Sequence, residues 1–194
     1  EVLVTSDANG LAQALESADL IILTDTIRLS RRCRLNKENA TYRIPMVVID
    51  HHVSRGVQHG IIVDMSSSCG EVIYYVLGEL GASITPPIAT LIYASISYDT
   101  VSFRFVRPGS GTLTLAGELL DLGADLQRIQ EALYQNESTD AVGLLTRGLA
   151  GIEYALEGRF VYLVADASLS GSLELDREDY RTLIQHLISI RGVC

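Results

Sequence analysis

The stretch Met46-Val47-Val48-Ile49-Asp50-His51-His52 begins as four apolar residues and ends in one carboxylate and two adjacent imidazoles. Paired valines followed by isoleucine suit a strand buried on both faces, as in a parallel sheet. Polar groups begin where the strand stops. In an open parallel sheet, ligands settle just beyond the carboxyl ends of the strands, so Asp50, His51 and His52 stand where chemistry is usually done. The plainer reading is a loop that carries two histidines, since histidine is a polar loop residue as well as the commonest metal ligand. Only four histidines occur in the chain, which favours the chemical reading.

The pattern repeats on either side. Asp19-Leu20-Ile21-Ile22-Leu23-Thr24-Asp25-Thr26 is an apolar strand that also ends in a carboxylate, and Ile61-Ile62-Val63-Asp64 is a third short strand. Ser66-Ser67-Ser68-Cys69-Gly70-Glu71 opens a helix whose apolar residues Val72, Ile73, Val76, Leu77 and Leu80 recur at helical spacing. Its serines can cap the helix through a hydroxyl, and the same free N–H groups can hold an anion; capping is the safer reading. Pro86 and Pro87 start a helix over Ile88 to Ser97, which leads to Tyr98-Asp99-Thr100 and then alternating Phe103 and Phe105. Thr112 to Leu122, closed by Gly123, and Leu126 to Leu133 are further helices.

Earlier in the chain, Glu1 to Val4 suits a short strand and Asp7 to Ser17 a short helix, and Arg28, Arg31, Arg32 and Arg34 form a basic run that reads as a solvated face. Later, Asn136 to Asp140 is a polar stretch fit for a domain boundary, Ala141 to Ile152 a connecting helix, Phe160 to Ala165 a strand, and Arg177 to Ser189 a helix with Tyr180, Leu183, Ile184 and Leu187 inward. The expected architecture is α/β: a Rossmann-like parallel sheet flanked by helices over residues 1–136, a connecting helix over 137–157, and the start of a second α/β domain over 158–194.

Composition narrows the function. A formal charge of −9 argues against a protein that grips long duplex nucleic acid by neutralising phosphates. No apolar run approaches the ~18 residues of a membrane span, and a cytoplasmic protein is expected. Cys33, Cys69 and Cys194 are odd in number and lack a CxxC pair, so neither a disulfide framework nor a thiolate zinc site is indicated. Cys69 reads as a packing residue.

Asp25, Asp50, His51 and Asp99 come from three separate strand or helix ends, and right-handed crossovers would bring those ends to one rim. Carboxylate oxygens with imidazoles suit Mn²⁺, Mg²⁺ or Fe²⁺. Two such ions can activate water and offset the charge of a phosphoryl group, so an acidic protein could handle a phosphate. Arg104 would then steady a phosphate oxygen through its planar fork.

These residues carry a resemblance. Val48-Ile49-Asp50-His51-His52 resembles the name-giving motif of the DHH phosphoesterases, a family that includes RecJ-type exonucleases, manganese pyrophosphatases, and bacterial enzymes that degrade nanoRNA and dephosphorylate adenosine bisphosphate. Leu23-Thr24-Asp25-Thr26, Ser66 to Glu71, and Ser97 to Phe105 match in order and spacing, closest to the nanoRNase and oligoribonuclease branch. The resemblance implies a two-manganese hydrolase with Asp25 bridging the ions, His51 and Asp99 in the metal shell, His52 facing the scissile phosphate, and Asp50 orienting a histidine. Ser67, Ser68 and Arg104 would contact the substrate: a short oligonucleotide, a nucleoside bisphosphate or a cyclic dinucleotide. Gly158 to Val193 resembles the opening of the accessory, DHHA1-type substrate-binding domain.

Three departures accompany the match. The family's first motif, a His and two Asp, has no counterpart before Asp25, and the accessory domain's glycine-rich histidine stretch has none within the 194 residues. Val101 stands where glycine is usual, and a β-branched residue does not easily take a positive φ. A non-catalytic binding or regulatory module, or an inactive fragment, is therefore the alternative. The apolar helix from Glu71 to Leu80 offers a face for a homodimer.

Overall fold

A computed structural model of the protein describes residues 14, 17–26, 44–52, 60–62, 66–166, 169, 171 and 177–193. Three strands, β1 (Ile21–Thr24), β2 (Met46–Asp50) and β3 (Gly60–Ile62), form a parallel sheet in that spatial order. Ile21 faces Met46 and Thr24 faces Ile49 across the first pair, while Val48 faces Gly60 across the second. Because the strands run the same way, β1 and β2 end side by side, and the Asp25 N–H extends the ladder by donating to the Ile49 carbonyl at 3.0 Å. The α/β architecture expected from the alternation of strand and helix is the one observed. The expected strand Glu1–Val4, most of the helix Asp7–Ser17, the arginine run from Arg28 to Arg34, His59, Cys33 and Cys194 lie outside the described residues.

Helix α1 (Cys69–Glu79) packs on β2, where Ile49, Cys69 and Val72 form a buried cluster edged by Val47, Ile73 and Val76. Helix α2 (Pro86–Asp99) lies against α1, and α3 (Thr112–Asp121) against α2. Two of these helices end in the same way. After α1, the Gly81 and Ala82 N–H groups return to the Gly78 and Leu77 carbonyls, and after α3 those of Gly123 and Ala124 return to Leu120 and Leu119. Both are Schellman caps, which place one left-handed residue after the helix; Gly81 and Gly123 take it with φ of 68° and 91°.

The chain divides into two compact units, Glu1–Ile129 and Gln130–Cys194, with the division inside α4 (Leu126–Tyr134). In the second unit α5 (Thr139–Ala150) packs on α6 (Arg177–Ile188), capped at its start by Ser138, whose hydroxyl accepts the Ala141 N–H. Between them lies a hairpin that the sequence pattern did not reveal: β4 (Glu153–Ala155) runs antiparallel to β5 (Phe160–Tyr162). The helix expected to reach Ile152 therefore stops at Ala150, and the strand expected to reach Ala165 stops at Tyr162. In α6, Leu183 is buried, whereas Ile184, expected inward, is 56% exposed. Leu183 takes the inward place because it fills the space above Gly148, where a Cβ would fall 2.5 Å from it.

Close approach also governs the helix pair beside the sheet. A Cβ on Gly70 would stand 2.8 Å from both Cβ and Oγ of Ser95, whereas Gly78, on the same helix, has open space around it. Gly70→Ala is expected to destabilise the protein by about 1–3 kcal/mol through overpacking, although alanine is the better helix former. Gly78→Ala is expected to stabilise it by up to about 1 kcal/mol. Thermal unfolding of the two variants checks the opposite signs.

Candidate metal and active site

At the carboxyl rim of the sheet, one ligand atom from each of Asp25, Asp50, His51 and His52 lies within 4.8 Å of the others. The strand register explains the first three, since β1 and β2 end level and deliver Asp25 beside Asp50 and His51. Asp99 arrives from elsewhere, as the last residue of α2. His51 Nε2 stands 3.5 Å from Asp25 Oδ1 and 3.8 Å from Asp99 Oδ2. The three residues expected to share a metal shell thus face one another.

Asp50 is almost fully buried and organises its own loop. Its Oδ1 accepts the His51 N–H at 2.7 Å, the His52 N–H at 3.0 Å, and the His52 ring nitrogen Nδ1 at 2.7 Å. Burial raises its pKa, but the hydrogen bonds from His52 and His51 and the charge of His52 outweigh that, so the carboxyl sits below its ordinary range. With Nδ1 engaged, His52 is left with Nε2 for other work, on a side chain that is 60% exposed. The rings of His51 and His52 lie 4.3 Å apart.

His51 is buried, and its Nδ1 lies 3.4 Å from the Ser66 carbonyl. A carbonyl only accepts, so this contact places a proton on Nδ1 and turns Nε2 to the other side of the ring. Nε2 points among the carboxylates of Asp25 and Asp99. Asp25 Oδ1, itself shielded from solvent, stands 3.6 Å from His52 Nδ1 as well. Such a set is stable with a cation among its members, and its oxygen and nitrogen donors suit a hard or borderline divalent ion. Asp99 adds to the demand, because a carboxylate at a helix C-terminus meets the negative end of the helix dipole.

Nearby Cys69 is buried and its thiol donates to the Ile49 carbonyl at 3.3 Å. Burial pushes its pKa up to about 11, and the charges of Asp25, Asp50 and Asp99 add to the effect against the Asp25 N–H, which favours thiolate. At neutral pH it is a protonated packing residue.

The remaining sequence candidates make contacts of their own. Ser68 Oγ caps α1 by accepting the Glu71 N–H at 3.3 Å. Ser67 Oγ accepts the Arg107 N–H at 3.0 Å and bonds Thr112 Oγ1 at 2.8 Å, with Ser110 Oγ 3.3 Å away. Arg104 is exposed, with its guanidinium 5.9 Å from the centre of the Phe105 ring. Sequence reasoning missed Glu71, a carboxylate only 1% exposed, whose Oε2 accepts the Ser67 N–H at 3.0 Å. The spacing Ser68-x-x-Glu71 is that of a capping box and could have found it.

No protein-family model matches the chain. It folds like an exopolyphosphatase-related protein from Bacteroides fragilis. The likeness has a TM-score of 0.83 at 20% identity, over 96% of this chain and 56% of that one. The chain thus spans little more than half the length of the Bacteroides protein, and at this identity the likeness establishes the fold.

Val101 has an unusual backbone. The Val101 and Ser102 N–H groups return to the Tyr98 and Ser97 carbonyls, so α2 ends in a third Schellman cap with valine in the glycine place, at φ 52°. Ser102 and Phe103 follow with φ of 55° and 63°, held by Thr100 Oγ1, which accepts the Phe103 N–H at 2.9 Å. A left-handed L-residue costs about 1–2 kcal/mol and glycine's extra unfolded freedom about 0.5–1 kcal/mol. Val101→Gly should therefore raise stability by about 0.5–1 kcal/mol, read as a higher midpoint in denaturant with an unchanged slope.

Proposed function

We propose that this chain is the catalytic region of a metal-dependent phosphoesterase of DHH type. The observation that carries the reading is the convergence of Asp25, His51 and Asp99, from two strands and a helix, with Asp50 and His52 beside them. The fold shared with an exopolyphosphatase-related protein supports it. Asp25, His51 and Asp99 would hold divalent cations, Mn²⁺ by preference, with Mg²⁺ or Fe²⁺ as substitutes. Such ions supply Lewis acidity toward water and toward the phosphoryl oxygens.

The protein's own groups do the rest. The Ser66 carbonyl would keep a proton on His51 Nδ1 and turn Nε2 toward the carboxylates. Asp50 fixes the His52 ring through Nδ1, which leaves Nε2 to meet a phosphate oxygen and, when protonated, to hand a proton to the departing one. Exposed Arg104 would steady a second oxygen. Ser67 and Ser68, engaged inside the protein, would shape the loop beneath the substrate. The substrates that fit are small phosphate esters: short oligonucleotides, nucleoside bisphosphates or cyclic dinucleotides.

The test is release of phosphate or mononucleotide from a short RNA, a 3′,5′-bisphosphate, a cyclic dinucleotide and a short polyphosphate, with and without Mn²⁺. Metal-dependent turnover of at least one ester is expected, with Asp25→Asn and Asp99→Asn about 100-fold or more slower. No turnover of any of them, or asparagine variants at the wild-type rate, would count against the proposal. Binding is checked separately from activity. Mn²⁺ at about 100 times its dissociation constant should stabilise the fold by about 2.7 kcal/mol, and His51→Ala should remove most of that gain.

A further inference from the structure

Glu71 is a buried carboxylate that the proposed chemistry does not use. Its Oε1 has no hydrogen-bond partner among the described residues, so its presence rests on Oε2, which accepts the Ser67 N–H at 3.0 Å. A capping-box glutamate normally reaches back to the N–H of the cap residue, here Ser68. Glu71 reaches one residue further, into the loop before the helix. There it holds the Ser66-Ser67 peptide, the unit whose N–H belongs to Ser67 and whose carbonyl belongs to Ser66.

That geometry has a consequence on the other side of the peptide plane. The N–H and C=O of one planar peptide point in opposite directions, so fixing the Ser67 N–H on Glu71 aims the Ser66 carbonyl the other way. The Ser66 oxygen lies 3.4 Å from His51 Nδ1. Ser67 Oγ clamps the same residue from a third side, through the Arg107 N–H and Thr112. We infer that Glu71 is a positioning residue that selects the His51 tautomer, acting through the Ser66-Ser67 peptide. The buried carboxylate orients the peptide, the Ser66 carbonyl holds a proton on Nδ1, and in the neutral ring Nε2 is the nitrogen left bare toward Asp25 and Asp99. The effect on metal affinity rests on the phosphoesterase reading; the tautomer does not.

Long-range ¹H–¹⁵N spectra of the histidine rings read the tautomer directly, with His51 assigned by loss of its signals in His51→Gln. The wild-type protein should show His51 with the proton on Nδ1. Glu71→Leu removes the acceptor and should give a mixture of the two tautomers, together with Mn²⁺ binding weaker by about 10–100-fold in calorimetry. Glu71→Gln keeps an oxygen for the Ser67 N–H and should restore the single tautomer and most of the affinity. If Glu71→Leu does not fold, Thr112→Val, which loosens Ser67 from the opposite side, should give a smaller shift in the same direction. A wild-type His51 protonated on Nε2, or a folded Glu71→Leu with the wild-type tautomer, overturns the inference. A wild-type protein that takes up no Mn²⁺ while Glu71→Leu still mixes the tautomers upholds the inference and defeats the phosphoesterase reading instead.

Discussion

His51 Nε2 stands 3.5 Å from one carboxylate and 3.8 Å from another, and the arrangement of this rim follows from holding Asp25 and Asp99 against one imidazole. Carboxylates held close together repel one another, and partial burial strengthens the repulsion because the dielectric there is lower than that of water. Such a set favours something positive among its members. The donor types then decide the occupant: carboxylate oxygens and imidazole nitrogens favour a divalent metal ion over an ammonium or guanidinium group.

Holding the groups together falls to backbone devices rather than to the side chains themselves. Parallel register brings Asp25 level with Asp50, and Asp25 takes a left-handed φ of 56° as β1 ends, a conformation that aspartate tolerates better than most residues. Asp99 is delivered by an abrupt helix end, where a Schellman cap turns the chain away immediately afterwards even though valine occupies the strained position. The close approach of α1 and α2 at Gly70 sets how far Asp99 stands from the strand ends, since a larger residue there would move one helix from the other. Strain at Val101 and the missing side chain at Gly70 are local costs set against a common placement.

Asp50 shows how one residue type serves different ends in the same loop. Its carboxylate is spent on two backbone N–H groups and one ring N–H, which keeps it ionised and ties both histidines to the strand end. Asp25 and Asp99 face the imidazole nitrogen instead. Glu71 belongs with Asp50: it is buried, it accepts a backbone N–H, and it touches none of the atoms that a metal would.

The parallel strands ending in Asp25 and Asp50 were legible in the sequence, because a β-branched apolar run that stops at a charge matches a buried strand meeting solvent at its end. The helices from Cys69, Pro86 and Thr112, with Gly123 after the last, were legible for a similar reason, since proline, serine and glycine leave local marks at helix ends. The apolar run from Phe160 gave β5, but its partner β4 left no such mark, as a three-residue strand with two exposed side chains lacks a periodic signal. Nor could periodicity choose between Leu183 and Ile184, which are neighbours on the helix; the gap above Gly148 made that choice. What the residues alone determined was the kind of chemistry available, hard oxygen and imidazole donors at the ends of apolar strands. Which carbonyl one nitrogen of His51 meets, and which carboxylates the other meets, was decided only by folding, because those contacts join residues that are neighbours in space but lie 15 to 48 positions apart along the chain.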